Sequence, residues 1–242
     1  ENSLVCVTKF GNVRRNKVSD FTNIKANGKK AMKLYNNDIL MQVLLVGENN
    51  DIILSTSKGK CVRFGVNDVR VFSGRTSMGV RGIKLQNNDK IISTSILKSL
   101  DITTDERESY LKFSNSLRRN EKKEVKFDKK RLSLISDNEE FLLSVTENGF
   151  GKRSSSYEYR KTRRGGQGIL NIETSERNGG VVASFPVLED EEVMLVTNKG
   201  KLIRLPVNGI RIAERVTQGV TLLNTENTER VVSVTKVKKN IE

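Results

Sequence analysis

Four short stretches decide the fold: Thr8-Lys9-Phe10-Gly11, Thr56-Ser57-Lys58-Gly59, Thr146-Glu147-Asn148-Gly149 and Thr197-Asn198-Lys199-Gly200. Each follows an apolar run, Leu4 to Val7, Ile52 to Leu54, Phe141 to Val145 and Val193 to Val196. Each precedes a second strand-like run with a basic residue four positions past the glycine: Arg15, Arg63, Arg153 and Arg204. Two β-rich runs joined by a short glycine-containing turn predict a hairpin. Fixed-period self-similarity is the mark of a repeat protein.

Working outward, a second anchor recurs in each copy: a basic or amide residue, a small one, then an apolar one. It reads Lys30-Ala31-Met32, Arg81-Gly82-Ile83, Gln167-Gly168-Ile169 and Gln218-Gly219-Val220. Each copy closes with a further apolar stretch, Ile39 to Val46, Ile91 to Leu97, Val181 to Val187 and Val231 to Val237. The turn glycines are 48, 90 and 51 residues apart, so the middle interval is long by about 40. We therefore expect one all-β domain over 1–242, with repeats at about 1–49, 50–98, 139–189 and 190–239 and an insertion at 99–138. About four short strands per unit describe a propeller-like or pinwheel array. The alternative is a β-sandwich with accidental similarity, which two independent anchors in four register-matched copies disfavour. Asp101 to Arg131 is dense in both charge signs and in Ser and Asn, so a mobile surface loop is expected there. Leu111, Phe113, Leu117 and Phe127 offer a way to dock on the body or to form a short helix.

The charge is lopsided. Across 242 residues, 43 Lys and Arg against 29 Asp and Glu leave a formal +14. Such a surface favours an anionic partner, of which nucleic acid is the commonest. The basic residues also fall at matched places. The hairpins carry Arg14 and Arg15, then Arg63, then Lys152 and Arg153, then Arg204. The second-anchor segments carry Lys25, Lys29, Lys30 and Lys33, then Arg75, Arg81 and Lys84. In the later copies they carry Arg160, Lys161, Arg163 and Arg164, then Arg211 and Arg215. For any single lysine a solvated strand face is the simpler account. Matched positions in a ring of repeats instead make a basic belt that suits curved duplex DNA, contacted through phosphates without reading sequence. The densest tract, Arg160 to Gly168, puts Arg163 and Arg164 beside Gly165 and Gly166, a turn that could clamp a phosphate. It is not a nucleotide P-loop, since no Lys-Ser/Thr follows at the needed spacing.

Other classes are excluded or weakened. There is no His and no Trp, so the usual general base and the commonest metal ligand are missing. No catalytic or metal-binding residues are expected, and no cofactor. Cys6 and Cys61 lie in apolar strand-like runs and read as buried reduced thiols. No apolar run is long enough to span a bilayer, and the chain reads as a monomeric cytoplasmic piece of a longer soluble protein. Protein-binding discs of the kelch or chromosome-condensation-regulator kind have similar periods. Kelch blades, however, want Tyr and Trp anchors, and such discs lack a matched basic rim.

At Thr162 to Gly168 the sequence resembles the C-terminal domain of the DNA gyrase A subunit. The family's box reads Q-R-R-G-G-K-G; here Thr162 replaces Gln and Gln167 replaces the basic residue. Gly79 to Leu85, Asn148 to Arg153, Glu176 to Gly179 and Thr217 to Val220 are similar to that domain's later blades. The resemblance implies a β-pinwheel in which neighbouring blades exchange strands, and DNA wrapping in support of negative supercoiling. It also implies a parent A2B2 heterotetramer with gyrase B, an ATP-dependent type II topoisomerase whose ATP and magnesium belong to the cleavage core and to gyrase B. The family's box lies in the first of usually six blades, so the tract here reads as a degenerate copy in a later one. Tyr35, Tyr110, Tyr157 and Tyr159 lack the context of the family's active-site tyrosine. The matching C-terminal domain of topoisomerase IV is the close variant.

Overall fold

In a computed structural model, residues 2–121 and 127–237 are described. Among them, fifteen strands form four antiparallel sheets with the centre of the chain's arc at one edge and solvent at the other. The first repeat supplies β1 (Ser3–Thr8), β2 (Asn12–Lys17) and β3 (Leu40–Val46). The second supplies β4 (Asn50–Thr56), β5 (Lys60–Gly65), β6 (Val80–Arg81) and β7 (Ile91–Lys98). The third supplies β8 (Phe141–Thr146), β9 (Phe150–Ser155), β10 (Ile169–Leu170) and β11 (Val181–Val187). The fourth supplies β12 (Glu192–Thr197), β13 (Leu202–Pro206), β14 (Val220–Thr221) and β15 (Val231–Val237).

The sheets are not the repeats. Their orders are β3-β1-β2-β6, β7-β4-β5-β10, β11-β8-β9-β14 and β15-β12-β13. The outermost strand of each of the first three blades is thus donated by the following repeat. The fourth blade has three strands among the described residues. The innermost strands β3, β7, β11 and β15 pack against one another in that order. Two larger apolar clusters fill blades one with two and three with four. A smaller one, Ile53, Cys61, Leu97, Leu142 and Tyr159, joins the two halves. Both cysteines are buried free thiols.

Strand donation depends on the turn glycines. Gly11, Gly59, Gly149 and Gly200 have φ near +80°, where a side chain costs about 1–2 kcal/mol. A Cβ on Gly59 would lie 2.3 Å from the Ile172 carbonyl oxygen, and one on Gly149 would lie 2.1 Å from that of Leu223. Those contacts accompany the bonds that seat the donated strand, Asn171 N–H to Gly59 O (2.7 Å) and Leu222 N–H to Gly149 O (2.8 Å). On Gly200 a Cβ would meet nothing within 4 Å, because among the described residues no donated strand lies against it. A second glycine, Gly79, Gly168 or Gly219, precedes each donated strand, and a Cβ on Gly168 would fall 2.4 Å from Cys61 O. This shifts the second anchor of repeat two: Gly79-Val80-Arg81, and not Arg81-Gly82-Ile83, matches Gly168-Ile169-Leu170 and Gly219-Val220-Thr221.

The insertion is a correction. Where a mobile loop was expected, the chain folds into α1 (Thr104–Arg118) and α2 (Lys129–Asp137). Thr103 and Glu106 form a capping box at α1, and Asp128 caps α2 by accepting from Arg131 N–H. Tyr110 and Ile135 are buried against Tyr157 of the third repeat, with Leu111 and Phe127 packed on them. Leu117 stays exposed.

The two glycine environments predict unequal damage. Gly200→Ala should cost only the left-handed backbone term, about 1–2 kcal/mol. Gly149→Ala adds a collision with backbone and should cost more than twice as much, read as the shift in chemical-denaturation free energy.

Candidate nucleic-acid interface

The matched basic residues divide into a buried set and an exposed one. Arg14, Arg15, Arg63, Lys152 and Arg153 are buried. This corrects the expectation that they face a phosphate backbone. Three of them share one task. Arg15 donates to Val66 O and to Asn67 Oδ1 (2.9 Å). Arg63 donates to Ser156 O (2.8 Å), and Arg153 donates from Nε to Ile210 O (2.8 Å) and from Nη2 to Asn208 O. Their acceptors lie in or just after single 3-10 turns, Val66–Asp68, Ser156–Glu158 and Val207–Gly209. Each turn leads into the segment that donates the next strand. A guanidinium suits this work because its planar fork satisfies several acceptors at once.

The residue facing each arginine two positions along the neighbouring strand varies. Arg15 Nε donates to Ser3 Oγ (3.1 Å), and Arg63 Nε bonds the buried Asp51 (2.9 Å). Arg153 sits 6.0 Å over the Phe141 ring. Arg204, the fourth member, pairs with Glu192 at the three-stranded blade's outer edge and is half exposed. One position earlier, Arg14 holds the second repeat through Ser77 O (2.7 Å) and the Phe72 ring. Lys152 holds the fourth through the carbonyls of Glu214 (2.7 Å) and Arg215. Burial pulls the Lys152 ammonium down to about 7, although the Glu158 carboxylate favours the charged form. Burial likewise pushes the Cys61 thiol up to about 12.

The second-anchor residues are the exposed set. Lys30, Arg81, Lys84, Arg160, Lys161, Arg163 and Arg211 are exposed, and Lys29, Arg75, Arg164 and Arg215 are half-buried. All lie on the segments that enter, form or follow the donated strands, or on the equivalent loop of repeat one, so they line the outer edge. Successive segments touch. Arg164 donates to Asp68 O (2.8 Å) and to Arg81 O (3.0 Å). Gly165 N–H bonds Gly82 O (2.6 Å), and Lys84 N–H bonds Gly166 O (2.8 Å). The Gly165 amide is thus used within the protein instead of being offered to a phosphate. Gly166 has open space where a Cβ would go. Farther along, Arg177 and Asn178 bond Gln218. Lys161 alone of the exposed set reaches a buried carboxylate, Asp51, at 2.8 Å. At the other end Lys25, Lys29, Lys30 and Arg75 surround a cavity of about 490 Å³ without a carboxylate in its lining.

Among the described residues no group of His, Cys, Asp or Glu could hold a metal ion, and no helix is long and apolar enough to cross a membrane. Sequence reasoning missed Arg107 and Arg118 on α1 and Arg119 at its C-cap. The signal was present in Thr103-Thr104-Asp105-Glu106, which opens a helix with a capping box.

Strand-exchanging blades with an arginine- and lysine-rich outer edge define a β-pinwheel. The chain belongs to the DNA gyrase C-terminal domain family of beta-propellers, whose family model matches residues 2–46, 50–98, 140–187 and 191–238. It is 44% identical over 254 residues to the DNA gyrase A subunit of Granulibacter bethesdensis, covering 96% of this chain and 27% of that protein. It is 42% identical over 244 residues to that of Rickettsia bellii, covering 97% and 27%. The chain therefore spans about a quarter of the length of these relatives. A solved DNA gyrase A C-terminal domain superposes with a TM-score of 0.71 at 24% identity, covering 98% of this chain and 66% of that one. The crystal structure of the C-terminal domain of DNA topoisomerase IV gives 0.76 at 21%, covering 98% and 62%. These two likenesses speak for the fold.

Two outcomes test the buried set. Arg63→Ala leaves Asp51 paired with Lys161 alone and strands the Ser156 carbonyl, and should cost about 1–3 kcal/mol of unfolding free energy in denaturant. Lys152 has a lower pKa folded than unfolded, so the unfolded chain binds more protons between about 7 and the ordinary 10.5. Its contribution to stability should rise with pH above about 7 and be flat below it. Urea midpoints of wild type and Lys152→Met, compared from pH 6 to 9.5, should diverge in that sense. An apolar side chain fits because Val62 and Ile203 hold the same register position in repeats two and four.

Proposed function

We propose that this chain binds duplex DNA along its outer edge and bends it, as the DNA-wrapping part of a gyrase A subunit. The observation that carries the reading is the exposed second-anchor series. Its basic segments lie on consecutive blade edges and touch one another. Arg160, Arg163 and Arg211 carry no ion pair among the described residues. A curved edge of fixed cations lowers the cost of bending a duplex, which is several kcal/mol over a few tens of base pairs. Counterion release on phosphate contact supplies the binding free energy, without sequence preference.

In this reading the chain supplies no catalytic residue, cofactor or metal. The parent protein is an ATP-dependent type II topoisomerase of the bacterial cytoplasm, in which two gyrase A chains join two gyrase B chains. ATP and magnesium act in the cleavage core and in gyrase B. The wrapped segment is presented for strand passage with a fixed crossing sign. Arg204 belongs to this reading as an edge residue, while Arg14, Arg15, Arg63, Lys152 and Arg153 shape the edge from inside.

Affinity for a random-sequence duplex should fall steeply with salt, the logarithmic slope being about 0.9 per phosphate neutralised. Arg163→Ala should lower that slope by about 1, and an unchanged slope removes Arg163 from the interface. Ligation of nicked circular DNA in the presence of the chain reads the wrap directly. A shifted topoisomer distribution gives its sign, and binding without a shift means contact without a chiral wrap.

A further inference from the structure

The inserted helix α1 ends beside the outer edge of blade three. A cavity of about 640 Å³ opens there, with Asn115, Arg118 and Arg119 on one wall and the segment from Asn208 to Thr217 on the other. Its lining holds four guanidinium groups, those of Arg118, Arg119, Arg153 and Arg211, against one carboxylate, Glu214. The first and third are engaged. Arg118 bonds Glu139 (3.2 Å) and lies 5.3 Å over the Phe141 ring. Arg153 is buried with Ile210 O and Asn208 O and reaches the exposed Glu189 at 3.4 Å. Arg119 and Arg211 are not held this way. Arg119 is 65% exposed, and among the described residues its one ion pair is with the similarly open Glu214 at 3.9 Å. An exposed pair at that distance contributes little and exchanges readily for a phosphate. The cavity at the other end of α1 differs, because Asp51, Asp101 and Glu108 balance Arg63, Arg107, Arg160 and Lys161 in its lining.

We propose that Arg119 and Arg211 face each other across this groove as a phosphate-binding site for duplex DNA, so that the insertion adds a contact to the outer-edge track. The helix C-terminus carries about half a negative charge, and Arg118, close to it, already offsets that. With 15 residues α1 is about 22 Å long. It reaches from the Arg160-Lys161 segment at the edge of blade two to the Arg211-Arg215 segment at the edge of blade three. The site rests on the reading of the outer edge as a DNA track, so its test must separate the two.

The experiment is a salt titration of the full chain on a duplex of random sequence, with four variants. Arg163→Ala probes the track itself. Arg119→Ala should lower the logarithmic salt slope by about 1, and Arg119→Glu should weaken binding further. Glu214→Gln, which frees Arg119 from its carboxylate, should strengthen binding. If Arg163→Ala lowers the slope while both Arg119 variants and Glu214→Gln bind as wild type, the insertion site is overturned and the track stands. If Arg119→Glu strengthens binding, the insertion hinders the duplex, and the proposal is likewise overturned. If wild-type affinity itself does not fall with salt, the track reading fails and the insertion site with it. Both Arg119 and Glu214 are exposed, so thermal unfolding of each variant should match wild type.

Discussion

The structure depends on one kind of contact, a buried guanidinium that grips the 3-10 turn after the hairpin of the next repeat. A blade of three strands leaves an outer edge of unpaired backbone groups, which is costly when apolar residues lie behind it. Here that edge is closed by two residues borrowed from the following repeat, Val80–Arg81, Ile169–Leu170 or Val220–Thr221. Two-residue strands cannot hold themselves in place. Arg15, Arg63 and Arg153 hold the chain upstream of them, and the left-handed glycine turns receive them downstream. Burying a cation is expensive unless its donors are satisfied. Each of these side chains finds backbone carbonyls, and in the second and third repeats a carboxylate as well.

This contact also explains how the charge is spent. A formal +14 suggests one basic surface. In the fold, five of the matched cations lie inside as fasteners, and the exposed second-anchor cations of repeats two to four sit on the segments those fasteners hold. Exposed cations on a tethered loop lose less conformational freedom on binding a polyanion than cations on a free one. The buried set therefore serves the exposed set by fixing where it points.

The repeat, the hairpins and their turn glycines were legible because strand alternation and a left-handed turn both demand particular residue types at fixed spacing. The division between buried and exposed arginines was not. Arg63 and Arg81 read alike in sequence, and only strand order decides that the first lies inside a blade and the second at its edge. The same ignorance displaced the second anchor by three residues in repeat two, where Gly79 and Gly82 are both glycines and only one precedes a donated strand. The insertion misled through composition. Its dense charge suggested disorder, yet the charges are paired, Arg131 with Glu106 at 2.7 Å and Arg118 with Glu139 at 3.2 Å. Tyr110 meets Tyr157 edge-on at 5.4 Å, and that packing partner lies 47 residues away, beyond the reach of a local reading.

The place of the insertion matters mechanically. The apolar cluster that joins the two halves of the arc, around Tyr159 and Leu142, is smaller than the clusters within each half, and the halves are joined besides by β7 on β11, the donated strand β10, the Arg63 grip and the Arg164 bonds. At this junction α1 and α2 pack on Tyr157, whose hydroxyl donates to Ile135 O at 2.7 Å, while Arg107 reaches Tyr157 O. Arg119 then reaches Glu214 in the next edge segment. The helices thus brace the same 3-10 turn that Arg63 holds from the other side. In the proposed role a surface that bends DNA must itself resist bending, since a bent duplex would store several kcal/mol of elastic energy that pushes back on its support. Stiffening is most useful where the apolar contact between blades is smallest, and that is where the extra helices lie.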